Sequence, residues 1–124
     1  MISLLWQDSV LSLLDQSVYP QEERWLTCTS LEETVQVLSS GAILEEKIAA
    51  IAGAYGLCQA ALAAQDLQQT PQFDEVLAGA RAMLLESRNH SRDMQLALDF
   101  MADPPEAYTR NVDRITTLLA TAVT

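Results

Sequence analysis

Hydrophobic and polar positions change period once along this chain, near residue 30. Before it, short β-prone runs alternate with polar turns: Ile2 to Trp6, then Gln7-Asp8-Ser9, then Val10 to Leu14. This pattern predicts two antiparallel strands joined by a tight turn. Apolar residues fall on both sides of the second run, so that strand should be covered on both faces. Asp15 to Glu22 contains Tyr19-Pro20, which favours an extended or turning chain. A third strand is expected from Glu23 to Cys28, with Trp25 and Thr27 on one side and Leu26 and Cys28 on the other. An isolated hairpin is marginal, so the three strands should form one small sheet.

After residue 30 the period becomes helical. Ser30-Leu31-Glu32-Glu33 fits a capping box in which Glu33 reaches back to the Ser30 amide, and Leu31, Val35, Val37 and Leu38 form an apolar face ended by Gly41. A second helix is predicted from Ile43 to Asp66, with Leu44, Ile48, Ile51, Ala52, Tyr55 and Leu62 inward. Its Ala-rich middle permits close approach by other helices and suits the centre of a bundle. Gln65 to Gln72 reads as a loop. A third helix should cover Phe73 to Glu86, with Phe73, Val76, Leu77, Ala80 and Leu84 inward. The fourth should begin near His90 or Ser91 and carry Met94, Leu96, Ala97, Leu98 and Met101. Asp103-Pro104-Pro105 opens a fifth, running to Val123 with Tyr108, Val112, Ile115, Leu118, Leu119 and Ala122 inward. The expectation is a single α+β domain over residues 1–124: a β-meander over 1–29 of about three strands, and a bundle of about five helices over 30–124.

Composition narrows the function classes. At 124 residues and 49% hydrophobic, the chain is long and apolar enough to bury a core. No run approaches the ~18 apolar residues of a membrane span, and the start lacks the basic segment of a signal peptide, so a cytoplasmic location is expected with no membrane partner. Seventeen acidic residues against seven basic give a net charge of −10, which repels phosphodiester backbones and argues against nucleic-acid binding. Cys28, Cys58 and the single histidine, His90, have no metal-ligand spacing, and no metal or cofactor is expected. Each cysteine reads as a small buried apolar residue. Glu22-Glu23 and Glu45-Glu46 read as solvated acidic faces, because adjacent residues on a helix point in different directions.

Several segments, in order, carry a resemblance. Trp6-Gln7-Asp8, Leu13 to Ser17 (LLDQS), Pro20, Glu23 to Cys28 (ERWLTC) and Ser30 to Val35 (SLEETV) are similar to the opening of methylthioribose-1-phosphate isomerase. Ala52 to Gly56 (AGAYG) resembles the family's AAAYG helix; Arg88, with Ala97-Leu98-Asp99 and Met101, resembles its RPTA…ALDRM segment. The resemblance covers residues 1–102 and extends to the superfamily that includes regulatory subunits of the initiation-factor 2B exchange complex.

The resemblance implies an N-terminal domain that covers one side of the active site. The catalytic cysteine and aspartate, which interconvert aldose and ketose, belong to a larger Rossmann-like domain expected to lie outside these residues. Neither Cys28 nor Cys58 matches that cysteine. The family's N-terminal contribution to phosphate binding is an RGAP turn, where an arginine and exposed amides suit an anion. The matching stretch here is Leu44-Glu45-Glu46-Lys47. One like-charge contact at ~4 Å costs about 4 kcal/mol at an effective dielectric of ~20, so two glutamates there oppose a phosphate. They are also expected to let the helix continue through the turn. Arg88 is the one carried-over substrate-binding candidate, although Asn89 replaces the family's proline; the alternative is an ordinary helix-end arginine. His90 reads as a loop histidine before an acid or base. Three functions follow: a non-catalytic interaction or regulatory domain with a protein partner or a second copy; half of a split isomerase; or a sugar-phosphate sensor using Arg88.

Overall fold

A computed structural model describes residues 3–67 and 70–101. The predicted fifth helix, Pro104 to Val123, lies outside them. The meander is formed by β1 (Leu4–Gln7), β2 (Val10–Leu14) and β3 (Trp25–Cys28), antiparallel in the order β1-β2-β3. Gln7 pairs with Val10, so the turn is two residues long, and Asp8 and Ser9 both have positive φ (54° and 65°). That conformation matches the right-handed twist of the flanking strands. Leu11 pairs with Cys28 and Leu13 with Leu26 across the second ladder. Leu11, Leu13 and Leu14 are all buried, so β2 is covered on both faces as its run of leucines indicates.

Four helices occupy the described residues: α1 (Leu31–Ser39), α2 (Glu46–Ala63), α3 (Pro71–Ser87) and α4 (Arg92–Phe100). Ser30 caps α1, its Oγ accepting from the Glu33 amide at 3.3 Å. Glu33 reaches one residue further back than expected, accepting from the Thr29 amide at 2.9 Å and from the Thr29 hydroxyl. Gly41, at φ 87°, ends the segment in the left-handed conformation that follows many helices. A short 3-10 turn, Gln65–Leu67, precedes α3, which starts two residues earlier than predicted because Pro71 fits its first turn. The Ser91 hydroxyl caps α4, accepting from the Met94 amide at 3.1 Å.

From Ala49 to Ala61 every residue of α2 is buried. A helix apolar all round belongs at the centre of a fold, and α2 packs against α1, α3, α4 and the sheet. Its small residues set the approach distances. A β-carbon built on Gly53 would lie 2.3 Å from Met94 Sδ, and one on Gly56 would lie 3.1 Å from Thr34 Cγ2. Tyr55 stacks on Trp6 at a ring separation of 4.6 Å, which ties α2 to β1. Two predicted inward positions turn outward: Leu62 and Val76 are exposed. Regular spacing alone overstated the apolar stripes of α2 and α3.

Two polar side chains, Thr34 and Gln59, meet within this core. Gln59 is 5% exposed, and its Nε2 donates to Cys28 O at 2.8 Å and Ser9 O at 3.3 Å, while its Oε1 accepts from Thr34 Oγ1 at 2.7 Å. One amide thus fastens α2 to the hairpin turn, the end of β3 and α1.

Gln59→Leu should destabilise the chain by about 3 kcal/mol, since burying unpaired partners costs about 1–3 kcal/mol each; urea unfolding measures this. Glycine replacements should split in sign. Gly53→Ala is expected to lose about 1–3 kcal/mol by overpacking against Met94. Gly79→Ala on α3, where an added β-carbon has nothing within 4 Å, should gain about 0.5–1 kcal/mol.

Candidate functional site

The connection from α1 to α2 carries the residues singled out as the altered turn, and the structure corrects one expectation there. Leu44 and Glu45 are not helical: α2 begins at Glu46, and Glu45 is extended at φ −85°, ψ 120°. Gln16, just past β2, holds this entry. Its Oε1 accepts from the Leu44 backbone amide at 2.6 Å and the Glu45 backbone amide at 3.0 Å, while its backbone N–H donates to Ala42 O at 2.8 Å. Two backbone donors at the helix entry are thereby satisfied without a side chain from the helix itself. Leu44, expected inward, is 65% exposed because it precedes the helix that was to turn it toward the core.

Glu46 points the other way. Its Oε2 accepts from Arg88 Nη2 at 2.8 Å and from Arg88 Nε at 3.2 Å, and Arg88 Nη1 donates to Leu38 O at 3.0 Å. Arg88 stands at the C-terminal cap of α3 with its side chain 13% exposed. It joins the α1 end, the α2 start and the α3 end. Burial pushes the Glu46 carboxyl up, but hydrogen bonds from Arg88 and Ser91 and the Arg88 charge together outweigh it, and its pKa falls below the ordinary 4.5. Guanidinium and carboxylate form a forked pair, the geometry in which arginine holds anions most firmly.

The other candidates are dispersed. His90 lies exposed in the α3–α4 turn at φ 55°, where its amide donates to Leu85 O at 2.7 Å and its carbonyl accepts from Gln95 Nε2 at 2.8 Å. Glu22 pairs with Arg24 at 3.0 Å, whereas Glu23 accepts from Trp25 Nε1 at 3.0 Å, so these neighbours serve different partners. Cys28 and Cys58 are both buried. Burial pushes the Cys28 thiol up, a Thr34 hydrogen bond opposes the change, and the Glu33 charge adds to it. Lys47, the last residue of the altered turn, is half-buried in the first turn of α2. Among the described residues no group of three His, Cys, Asp or Glu side chains could hold a metal ion, and no helix is long and apolar enough to cross a membrane.

A groove of about 320 Å³ opens beside Gln16, lined by Ser3, Leu14, Gln16, Tyr19, Leu44 and Glu45. Sequence reasoning missed Gln16 as part of a site. It stands inside the LLDQS segment, but its grip on residues 28 and 29 positions away is a tertiary contact with no local signal.

Methylthioribose-1-phosphate isomerase from Pseudomonas entomophila (strain L48) is 33% identical over 98 residues, which span 79% of this chain and 27% of the relative. The same enzyme from Pseudomonas fluorescens (strain Pf0-1) is 30% identical over 118 residues, 95% of this chain and 32% of the relative. The chain belongs to the methylthioribose-1-phosphate isomerase superfamily. It spans about a third or less of the curated relatives it matches, the portion that corresponds to their N-terminal domain. No family model matches it. The fold agrees: 5-methylthioribose 1-phosphate isomerase from Pyrococcus horikoshii OT3 superposes with a TM-score of 0.73 at 14% identity, covering 97% of this chain and 36% of that one. Translation initiation factor eIF-2B subunit delta from A. fulgidus superposes at 0.72 and 22% identity, with the same coverage.

Glu46→Gln should lower stability by about 1 kcal/mol at pH 7, a value kept small because the carboxylate is 36% exposed and solvent-screened. A lowered folded pKa means that the pair stabilises above the unfolded value and that this contribution is lost as pH falls through the folded value. The gap between wild type and variant should therefore close in acid; denaturation at pH 7 and at pH 3 checks it.

Proposed function

We propose that this chain is a non-catalytic interaction or regulatory domain built on the N-terminal scaffold of a methylthioribose-1-phosphate isomerase. One observation carries the reading: the groups that would greet a phosphate are already engaged within the chain. The Leu44 and Glu45 amides donate to Gln16, and Arg88 is held by Glu46 and the Leu38 carbonyl. Glu46, which stands in the stretch matching the family's phosphate turn, acts as an internal anion for the one arginine the resemblance carries over. A phosphate competing for Arg88 would have to displace a forked ion pair and then face the freed Glu46 carboxylate. The sensor reading built on Arg88 is weakened for the same reason.

A second reading rests on covered length. A chain spanning 27% to 32% of the isomerases it matches fits one portion of an isomerase whose catalytic residues lie elsewhere. Mixing it with the remaining portion of a relative separates the two: turnover of methylthioribose 1-phosphate would support the second reading and defeat the first.

Isothermal titration with methylthioribose 1-phosphate and with inorganic phosphate should give no saturable heat, and light scattering should show self-association or a stable complex with a partner. Saturable binding of methylthioribose 1-phosphate that disappears in Arg88→Met would overturn the proposal, as would a strictly monomeric chain that forms no complex.

A further inference from the structure

The groove beside Gln16 has walls of mixed chemistry. Leu14 and Leu44 supply apolar surface and Tyr19 an aromatic ring, with Leu44 and Tyr19 both exposed to solvent. The Gln16 amide oxygen is already shared between two backbone donors. The charged group in the lining is Glu45, whose carboxylate accepts from Gln16 Nε2 at 3.4 Å, a long hydrogen bond that leaves acceptor capacity for a stronger donor.

Among the described residues no cationic side chain lines this groove. An anion entering it would meet Glu45 without compensation, and a wholly apolar group would strip water from a carboxylate. An aliphatic stem ending in a cation satisfies every wall: the stem lies on Leu14 and Leu44, the head reaches Glu45, and the Tyr19 ring adds a cation–π contact. About 320 Å³ is at the small end of ligand pockets, which run from about 300 to 1,000 Å³, and suits one side chain better than a large metabolite. The net charge of −10 favours approach by a basic surface.

We propose that this groove receives a lysine or arginine side chain from a basic partner protein. The proposal rests on the interaction reading above and names the chemistry of its partner. Its test is nitrogen-15 NMR on the full chain, titrated with the capped peptide Ser-Leu-Arg-Leu-Ser, its citrulline counterpart and n-butylguanidinium. The arginine peptide should shift the amides of Leu14, Gln16, Tyr19, Leu44 and Glu45, and the neutral peptide should bind about tenfold more weakly or worse. Glu45→Gln should abolish the difference while keeping the fold, since Glu45 is exposed and its amide still donates to Gln16.

Shifts scattered over the acidic surface, no binding, or shifts unchanged in Glu45→Gln would each overturn the groove assignment. Equal affinity for n-butylguanidinium would make this a small-amine site and overturn the partner assignment. None of these outcomes touches the interaction reading, which is tested by self-association and by methylthioribose 1-phosphate binding without reference to Glu45.

Discussion

Everything in this fold is packed around α2, and α2 tolerates it only because so many of its residues are small. Ala49 to Ala61 are buried on all sides, with two glycines facing Met94, Thr34 and Leu84. A helix enclosed by a sheet and three other helices has no solvent face on which to place polar groups. Its one long polar side chain there, Gln59, is therefore tied to three separate backbone or hydroxyl groups. The same constraint makes the core mostly aliphatic, with Asp15 the charged residue that is buried among those described. Close packing of this kind transmits any change of volume directly to neighbouring elements.

The ends of α2 connect that core to the candidate site. At its start, Glu45 and Glu46 are adjacent in sequence yet serve opposite sides of the molecule. Glu45 faces Gln16 and the groove, while Glu46 faces Arg88. Two carboxylates that look like one acidic patch are thus a groove wall and an internal counter-ion. The Arg88–Glu46 pair also closes the junction of three helix ends, and Arg88 donates there to the Leu38 carbonyl near the end of α1. A scaffold shared with isomerases here carries charges that neutralise one another inside the chain.

Much was legible beforehand because it depends on local physics. The hairpin turn, the strand order, the capping of α1 by Ser30, the start of α4 near Ser91, and the central role of the Ala-rich helix follow from period, turn residues and side-chain size. The family was legible for a different reason: fragments such as LLDQS and AGAYG occur in the order in which the family carries similar ones. The failures share one origin. Leu44 was assigned to α2, and Leu62 and Val76 to the core, because apolar spacing reports which residues can face inward but not where packing space runs out.

Sequence by itself therefore determined the meander-then-helices order, the acidic surface and the superfamily. Tertiary structure alone decided how the chain enters α2, because a glutamine 28 residues away from Leu44 accepts from the two backbone amides just before the helix. It alone decided what Arg88 does, since its carboxylate partner is 42 residues distant. Both are contacts between side chains and groups brought together only by folding, and no local period records them.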